Sequence, residues 1–115
     1  MIQVKRYSSN PILSFNQSKS WEAEAAFNGS ITKKGNKFFL VYRAVASPQF
    51  YYGSNIKLSS IGLAESPNGF AFKNRHQFIT PEYSWERFGC EDPRVTKLGS
   101  KYYIFYTALS DYPPS

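Results

Sequence analysis

The sequence holds one cysteine, Cys90, and one histidine, His76. One cysteine cannot close an intramolecular disulfide, and small secreted domains usually carry several. A multi-histidine zinc site or a Ser-His-Asp triad would have to use His76, whose neighbours Lys73, Asn74 and Arg75 read as a surface loop. Acidic residues are scarce: 8 against 14 Lys and Arg, with Asp only at positions 92 and 111. No run approaches the roughly 18 apolar residues of a membrane-spanning helix. The first residues, Met1-Ile2-Gln3-Val4-Lys5-Arg6-Tyr7, lack the apolar core of a signal peptide. The expectation is a soluble protein of a reducing, cytoplasmic compartment, in which the glycosylation-type triplet Asn28-Gly29-Ser30 is idle. A Gly-rich phosphate loop, Cys/His metal spacing and an aromatic–basic RNA signature are also missing, so no metal, cofactor or nucleic acid is expected.

The net charge of +6 does not change that reading. The densest basic pairs are Lys5-Arg6 and Lys33-Lys34, and no block reaches five. Dispersed lysines and arginines suit solvated strand edges and turns better than a nucleic-acid or membrane surface.

Aromatic residues are abundant: 10 Phe, 9 Tyr and 2 Trp in 115 residues. Such side chains pack well on pleated sheets and point to an all-β fold. They also recur. Displaced by 64 positions, Ser20-Trp21-Glu22 falls on Ser84-Trp85-Glu86, Thr32-Lys33 on Thr96-Lys97, Gly35 on Gly99, Lys37 on Lys101, Tyr42 on Tyr106 and Ala44 on Ala108. These nine identities need no gap, where average composition gives roughly two. Within the repeat, 30–33 and 37–46 read as a hairpin about Gly35, and 95–97 and 101–110 as its copy about Gly99. A third strand is expected at 59–66, a turn at Pro67-Asn68-Gly69, and a fourth strand over 70–74 and 77–79. Residues 47–55 read as irregular.

Four antiparallel strands followed by a restart are the signature of a propeller blade, lengthened here by loops at 47–55 and 80–91. Residues 20–80 would form blade one and 84–115 the start of blade two. The whole chain, 1–115, would be the N-terminal part of a single propeller, about one and a half blades. An autonomous β-sandwich with an internal duplication is the competing architecture.

The repeat makes Asn28 and Asp92 equivalent, each just before the first strand of its unit, at the mouth of a central channel. Pro93 is expected to hold Asp92 in extended geometry as a rigid mount for a carboxylate. On an extended chain Glu91 and Asp92 point to opposite sides, so one faces the pocket and the other pairs with Arg43 or Arg94. Arg43, inside the apolar strand Leu40-Val41-Tyr42-Arg43-Ala44, needs a partner: a substrate oxygen or one of those carboxylates. Cys90 reads as a small buried residue, and Trp21 and Trp85 as packing between blades or as sugar platforms.

Several segments occur in a telling order: Asn10-Pro11-Ile12-Leu13, Ala26-Phe27-Asn28, Val41-Tyr42-Arg43-Ala44, Ser60-Ile61-Gly62-Leu63-Ala64-Glu65-Ser66-Pro67-Asn68-Gly69, Gly89-Cys90-Glu91-Asp92-Pro93-Arg94 and Tyr102-Tyr103-Ile104-Phe105-Tyr106-Thr107. This series resembles glycoside hydrolase family 130, the β-mannoside phosphorylases and related mannosidases, over nearly the whole chain from Asn10. The resemblance implies a five-bladed propeller roughly three times this length, with a central active site. It implies inverting attack of inorganic phosphate on a β-mannoside to give mannose 1-phosphate. Asp92 would be the catalytic acid, relaying its proton through a sugar hydroxyl, and Asn28 and Arg43 match positions suited to sugar or phosphate contact; Glu91 and Arg94, beside the acid, are further substrate-binding candidates. Family members commonly carry Pro after the Asn, where this chain has Gly29. The residues separating phosphorylases from hydrolases lie mostly in later blades. Hydrolysis of β-mannosides and non-catalytic glycan binding are therefore the alternatives. A homo-oligomer is compatible with all three.

Overall fold

In the computed structural model, residues 3–111 are described. They form eight β-strands: β1 Ala25–Lys34, β2 Lys37–Val45, β3 Gln49–Tyr51, β4 Ser54–Ile56, β5 Ser59–Ser66, β6 Lys73–Ile79, β7 Gly89–Leu98 and β8 Lys101–Leu109. Two short 3-10 turns, Ser20–Glu22 and Ser84–Glu86, precede β1 and β7. Strands β1, β2, β5 and β6 make one antiparallel sheet in the order β1-β2-β5-β6. Strands β7 and β8 start a second, and β3 with β4 make a small hairpin between β2 and β5. This is part of a five-bladed propeller, one four-stranded blade and the first hairpin of another.

Local chemistry sets the elements. The apolar run Phe38-Phe39-Leu40-Val41-Tyr42 is β-branched and aromatic, and it takes the buried position between β1 and β5. Gly35 and Gly99 close the two tight hairpins at φ +61° and +63°, where a side chain would be strained. After β5, Ser66 Oγ accepts from the backbone of Asn68 and Gly69, and Asn68 Oδ1 accepts from Phe70 and Ala71. These bonds satisfy the turn internally and delay β6 to Lys73. Residues 47–55 are more ordered than expected, because Tyr52 and Gly53, both at positive φ, fold them into the β3–β4 hairpin.

Strand alternation divides the core into two layers. Leu40, Tyr42, Ala44 and Ala64 bury one face of the first sheet under Leu13, Trp21, Ala26 and Phe72. Val41 and Ile61 bury the other face against Cys90, Val95, Ile104 and Tyr106 of the second sheet. Gly62 lies opposite Tyr42, and a Cβ there would collide with the tyrosine ring. The first strands of the two units, β1 and β7, meet where Val95 N–H donates to Ser30 Oγ at 3.1 Å.

The displacement of 64 residues holds for the backbone as well as for the sequence. It maps each 3-10 turn on its copy, β1 on β7 and β2 on β8. Each copy carries a buried glutamate. Glu22 is 0% exposed, accepts from Tyr42 Oη at 2.8 Å and pairs with Arg75. Glu86 accepts from Tyr106 Oη at 2.7 Å and from the Glu82 backbone N–H at 2.7 Å. Burying a carboxylate is tolerable only with such donors.

Candidate active site

The first strands of the two units begin five and six residues earlier than their apolar patterns suggested, and Asn28 and Asp92 lie inside β1 and β7. Both strands break register there, between Phe27 and Ser30 and between Glu91 and Arg94. These are β-bulges, with Asn28 at φ +53° and Asp92 at φ +52°. Asp92 is therefore left-handed rather than extended. Asn and Asp are the non-glycine residues that tolerate this region best. The bulge overrides the bias imposed by Pro93 and re-aims the carboxylate.

That backbone turn brings together groups an extended chain would separate. Asn28 Nδ2 donates to Asp92 Oδ1 at 2.7 Å across the gap between units. Arg43 Nη2 donates to Glu91 Oε2 at 2.9 Å, and its Nη1 is 3.7 Å from Asp92 Oδ1. Glu91 and Asp92 thus share one guanidinium instead of facing opposite sides. Arg43 Nε donates to Ser59 Oγ at 3.0 Å, and the guanidinium lies 5.0 Å from the centroid of the Phe27 ring. Arg43 is half-buried and engaged by protein carboxylates, the ion-pair alternative for a charge set in an apolar strand.

Arg94 stands apart from the two carboxylates. Its Nη1 donates to the Pro93 carbonyl at 2.7 Å and reaches the Asn28 carbonyl at 3.5 Å. Its residue is exposed, so it is the cation of the group with room for a further anion. Glu91 is the more deeply held carboxylate. Burial raises its pKa, Arg43 opposes that rise and the charge of Asp92 adds to it. Among the described residues, Asp92 Oδ1 takes the contacts from Asn28 and Arg43, and no hydrogen bond falls on Oδ2. The site therefore offers one carboxylate oxygen pinned and one open.

The remaining candidates fall elsewhere. Cys90 is fully buried, and burial with the nearby Glu86 carboxylate pushes its thiol up to about 12, which leaves it inert as a nucleophile. His76 is exposed on β6 beside Phe78. Trp21 packs on the core near Tyr42, whereas its equivalent Trp85 is 58% exposed and stacks on Tyr83. The buried Glu22 and Glu86 were not singled out from sequence, although their repetition with Tyr42 and Tyr106 was the signal available.

Comparison with known proteins decides the family. The sequence model described as beta-1,4-mannooligosaccharide phosphorylase, glycoside hydrolase family 130, matches residues 3–115. The chain belongs to glycoside hydrolase family 130. It is 39% identical over 118 residues to a beta-1,2-mannobiose phosphorylase of Thermoanaerobacter sp. (strain X514), covering 95% of this chain and 38% of that protein. A 1,2-beta-oligomannan phosphorylase of the same strain is 35% identical, with 96% and 38% covered. The chain thus spans 38% of the length of these curated relatives. Among solved structures, the beta-1,2-mannobiose phosphorylase of Listeria innocua in complex with beta-1,2-mannobiose superposes with TM-score 0.73 at 20% identity, over 91% of this chain and 44% of that one. A structure from work on family 130 glycoside hydrolases that target beta-1,2 mannosidic linkages in Candida mannan gives TM-score 0.75 at 26% identity, over 90% and 33%.

Proposed function

We propose that the protein is a mannoside phosphorylase that cleaves β-mannosides with inorganic phosphate and releases mannose 1-phosphate with inversion. The observation that carries this is the Asp92 carboxylate, held at a bulge by Asn28 with one oxygen left open, in a chain so similar to two mannoside phosphorylases. A phosphate oxygen attacks the anomeric carbon, the glycosidic C–O bond breaks, and the Asp92 proton reaches the departing oxygen through a sugar hydroxyl. A single acid suffices, because phosphate is itself the nucleophile and needs no facing carboxylate as base.

Asn28 serves the carboxylate through its amide and keeps its remaining valence for a sugar hydroxyl. Arg43 and Glu91 form the ion pair beside Asp92, and Arg94 is the candidate anion contact. The names of the two Thermoanaerobacter relatives support a β-1,2 linkage over β-1,4, although the family description names β-1,4. No cofactor beyond phosphate is required, and a cytoplasmic enzyme acting without nucleic acid or membrane fits the composition, with self-association compatible with it. Hydrolysis is the second reading, supported by the similarity to the structure from work on family 130 hydrolases.

The test is product analysis with the full-length protein on β-1,2- and β-1,4-mannobiose, with and without phosphate. Phosphate-dependent mannose 1-phosphate is expected. Free mannose at the same rate without phosphate would replace the proposal with a hydrolase.

A further inference from the structure

Asp92 is held from one side by Asn28 and approached from the other by Arg43, and Arg43 is itself held from behind by β5. Register puts Ile61 of β5 opposite Arg43 of β2, and Ser59 opposite Val45. Residues two apart on a strand share a face, so Ser59 lies diagonally across from Arg43 on the side of the sheet that meets β7. Its Oγ accepts from Arg43 Nε at 3.0 Å. The serine is 2% exposed. Its place is fixed on two sides. Ala46 N–H donates to the Leu58 carbonyl at 2.9 Å just beyond the strand pair. Gly89, the first residue of β7, packs on it, and a Cβ there would touch the Ser59 carbonyl oxygen at 3.5 Å and its Cβ at 3.7 Å.

The sheet itself has no use for a hydroxyl at this position. The neighbours on the same face, Val41, Val45 and Ile61, are apolar and buried. A hydroxyl buried among them needs a partner, and that partner is Arg43. The guanidinium is flat, with its N–H groups in a rigid fork. Anchoring Nε–H on Ser59 fixes the rotation about the Cδ–Nε bond and so decides where Nη1 and Nη2 point. Nη2 then donates to Glu91 Oε2 at 2.9 Å, while Nη1 stands 3.7 Å from Asp92 Oδ1. The Phe27 ring, 5.0 Å away, limits movement on the open face. Held by Glu91 alone, the fork could pivot on that one bond and carry Nη1 away from Asp92. Ser59 is also a neutral acceptor, so it orients the arginine and leaves its charge to the two carboxylates.

We infer that Ser59 is a positioning residue for the Asp92 acid, acting through Arg43. The inference rests on the mannoside phosphorylase reading, in which Asp92 gives its proton toward the leaving group. The hydroxyl touches no reacting atom. It fixes the plane of the arginine, and the arginine fixes the carboxylate between itself and Asn28.

The test compares Ser59→Ala with wild type in the full-length protein, on β-1,2-mannobiose and on 4-nitrophenyl β-mannoside with phosphate, with Asp92→Asn alongside. A displaced acid harms the substrate whose leaving group needs a proton and spares the one whose leaving group departs without it. On mannobiose, kcat is expected to fall roughly tenfold with KM changed less than about twofold, and on the nitrophenyl substrate kcat should change less than about twofold. Equal loss on both substrates, a loss confined to KM, or no loss would overturn the inference while leaving Asp92 as the acid. If Asp92→Asn does not separate the two substrates, or no mannoside is turned over, the reading of the site fails instead. A crystal structure of Ser59→Ala then decides the role of the serine. An arginine turned away from Glu91 and Asp92 retains it, and an unmoved arginine rejects it.

Discussion

The two repeat units share several residues that support the fold and differ at the candidate site. Glu22 and Glu86, Tyr42 and Tyr106, and Gly35 and Gly99 hold the same positions, and the first two pairs make the same hydrogen bond. At the bulge the backbone is also the same, with φ +53° and +52°, but an amide stands in one unit and a carboxylate in the other. The neighbours diverge as well: Phe27 against Glu91, Gly29 against Pro93, Arg43 against Thr107. A shared scaffold thus presents one neutral donor and one acid toward each other across the gap between units. In the proposed mechanism the acid and its amide partner stand where the repeat was not kept.

Making the bulges alike should have the largest effect. Asp92→Asn preserves shape at the left-handed position and is expected to lower the rate of mannoside cleavage by about 10²–10⁴-fold with an unchanged Tm. Removing a shared support should instead cost stability. Glu22→Ala leaves the half-buried Arg75 and the Tyr42 hydroxyl without their partner, a loss of about 3–5 kcal/mol by denaturant unfolding of the full-length protein. Tyr42→Phe and Tyr106→Phe sharpen the comparison, because the first hydroxyl is fully buried and the second is not. The first should cost about 1.5–3 kcal/mol and the second about 1 kcal/mol.

The tyrosines also set an acid limit. For Glu86, burial raises the pKa, but hydrogen bonds from Tyr106, from the Glu82 and Tyr83 backbone and from Cys90 outweigh it, so the net shift is downward. A lowered folded-state pKa contributes stability above the ordinary carboxylate value and loses it as pH falls through the folded value. Tyr106→Phe should therefore move the onset of acid unfolding to higher pH, followed by circular dichroism. The smallest effect concerns Cys90. With its thiol pushed up to about 12, alkylation by iodoacetamide at pH 8 should be slow in the native protein and fast only after unfolding.

Much of this was legible in the sequence because the repeat is direct. The Trp-Glu and Tyr positions, the hairpin glycines and strand β5 over Ser59–Ser66 all follow from periodicity and turn chemistry. The ends of β1 and β7 were not legible. A bulge puts polar residues such as Asn28, Asp92 and Arg94 into a strand, and alternation then reads as a break. The geometry at Asp92 was misread for a related reason. Pro93 biases the preceding residue toward extended backbone, yet the bulge imposes φ +52°, and this brings Glu91 and Asp92 to the same arginine. The β3–β4 hairpin was hidden because its turn uses Tyr52 at positive φ, a conformation no propensity would assign to tyrosine.

The role of Asp92 as proton donor is tested most directly by changing how much the leaving group needs a proton. In the full-length protein, kcat/KM for phosphorolysis of β-1,2-mannobiose and of 4-nitrophenyl β-mannoside would be measured for wild type and Asp92→Asn. An acid at Asp92 predicts a loss of at least about 10²-fold on mannobiose and a far smaller loss on the nitrophenyl substrate, whose leaving group departs without protonation. Equal losses on both substrates would contradict it and leave Asp92 as a binding residue.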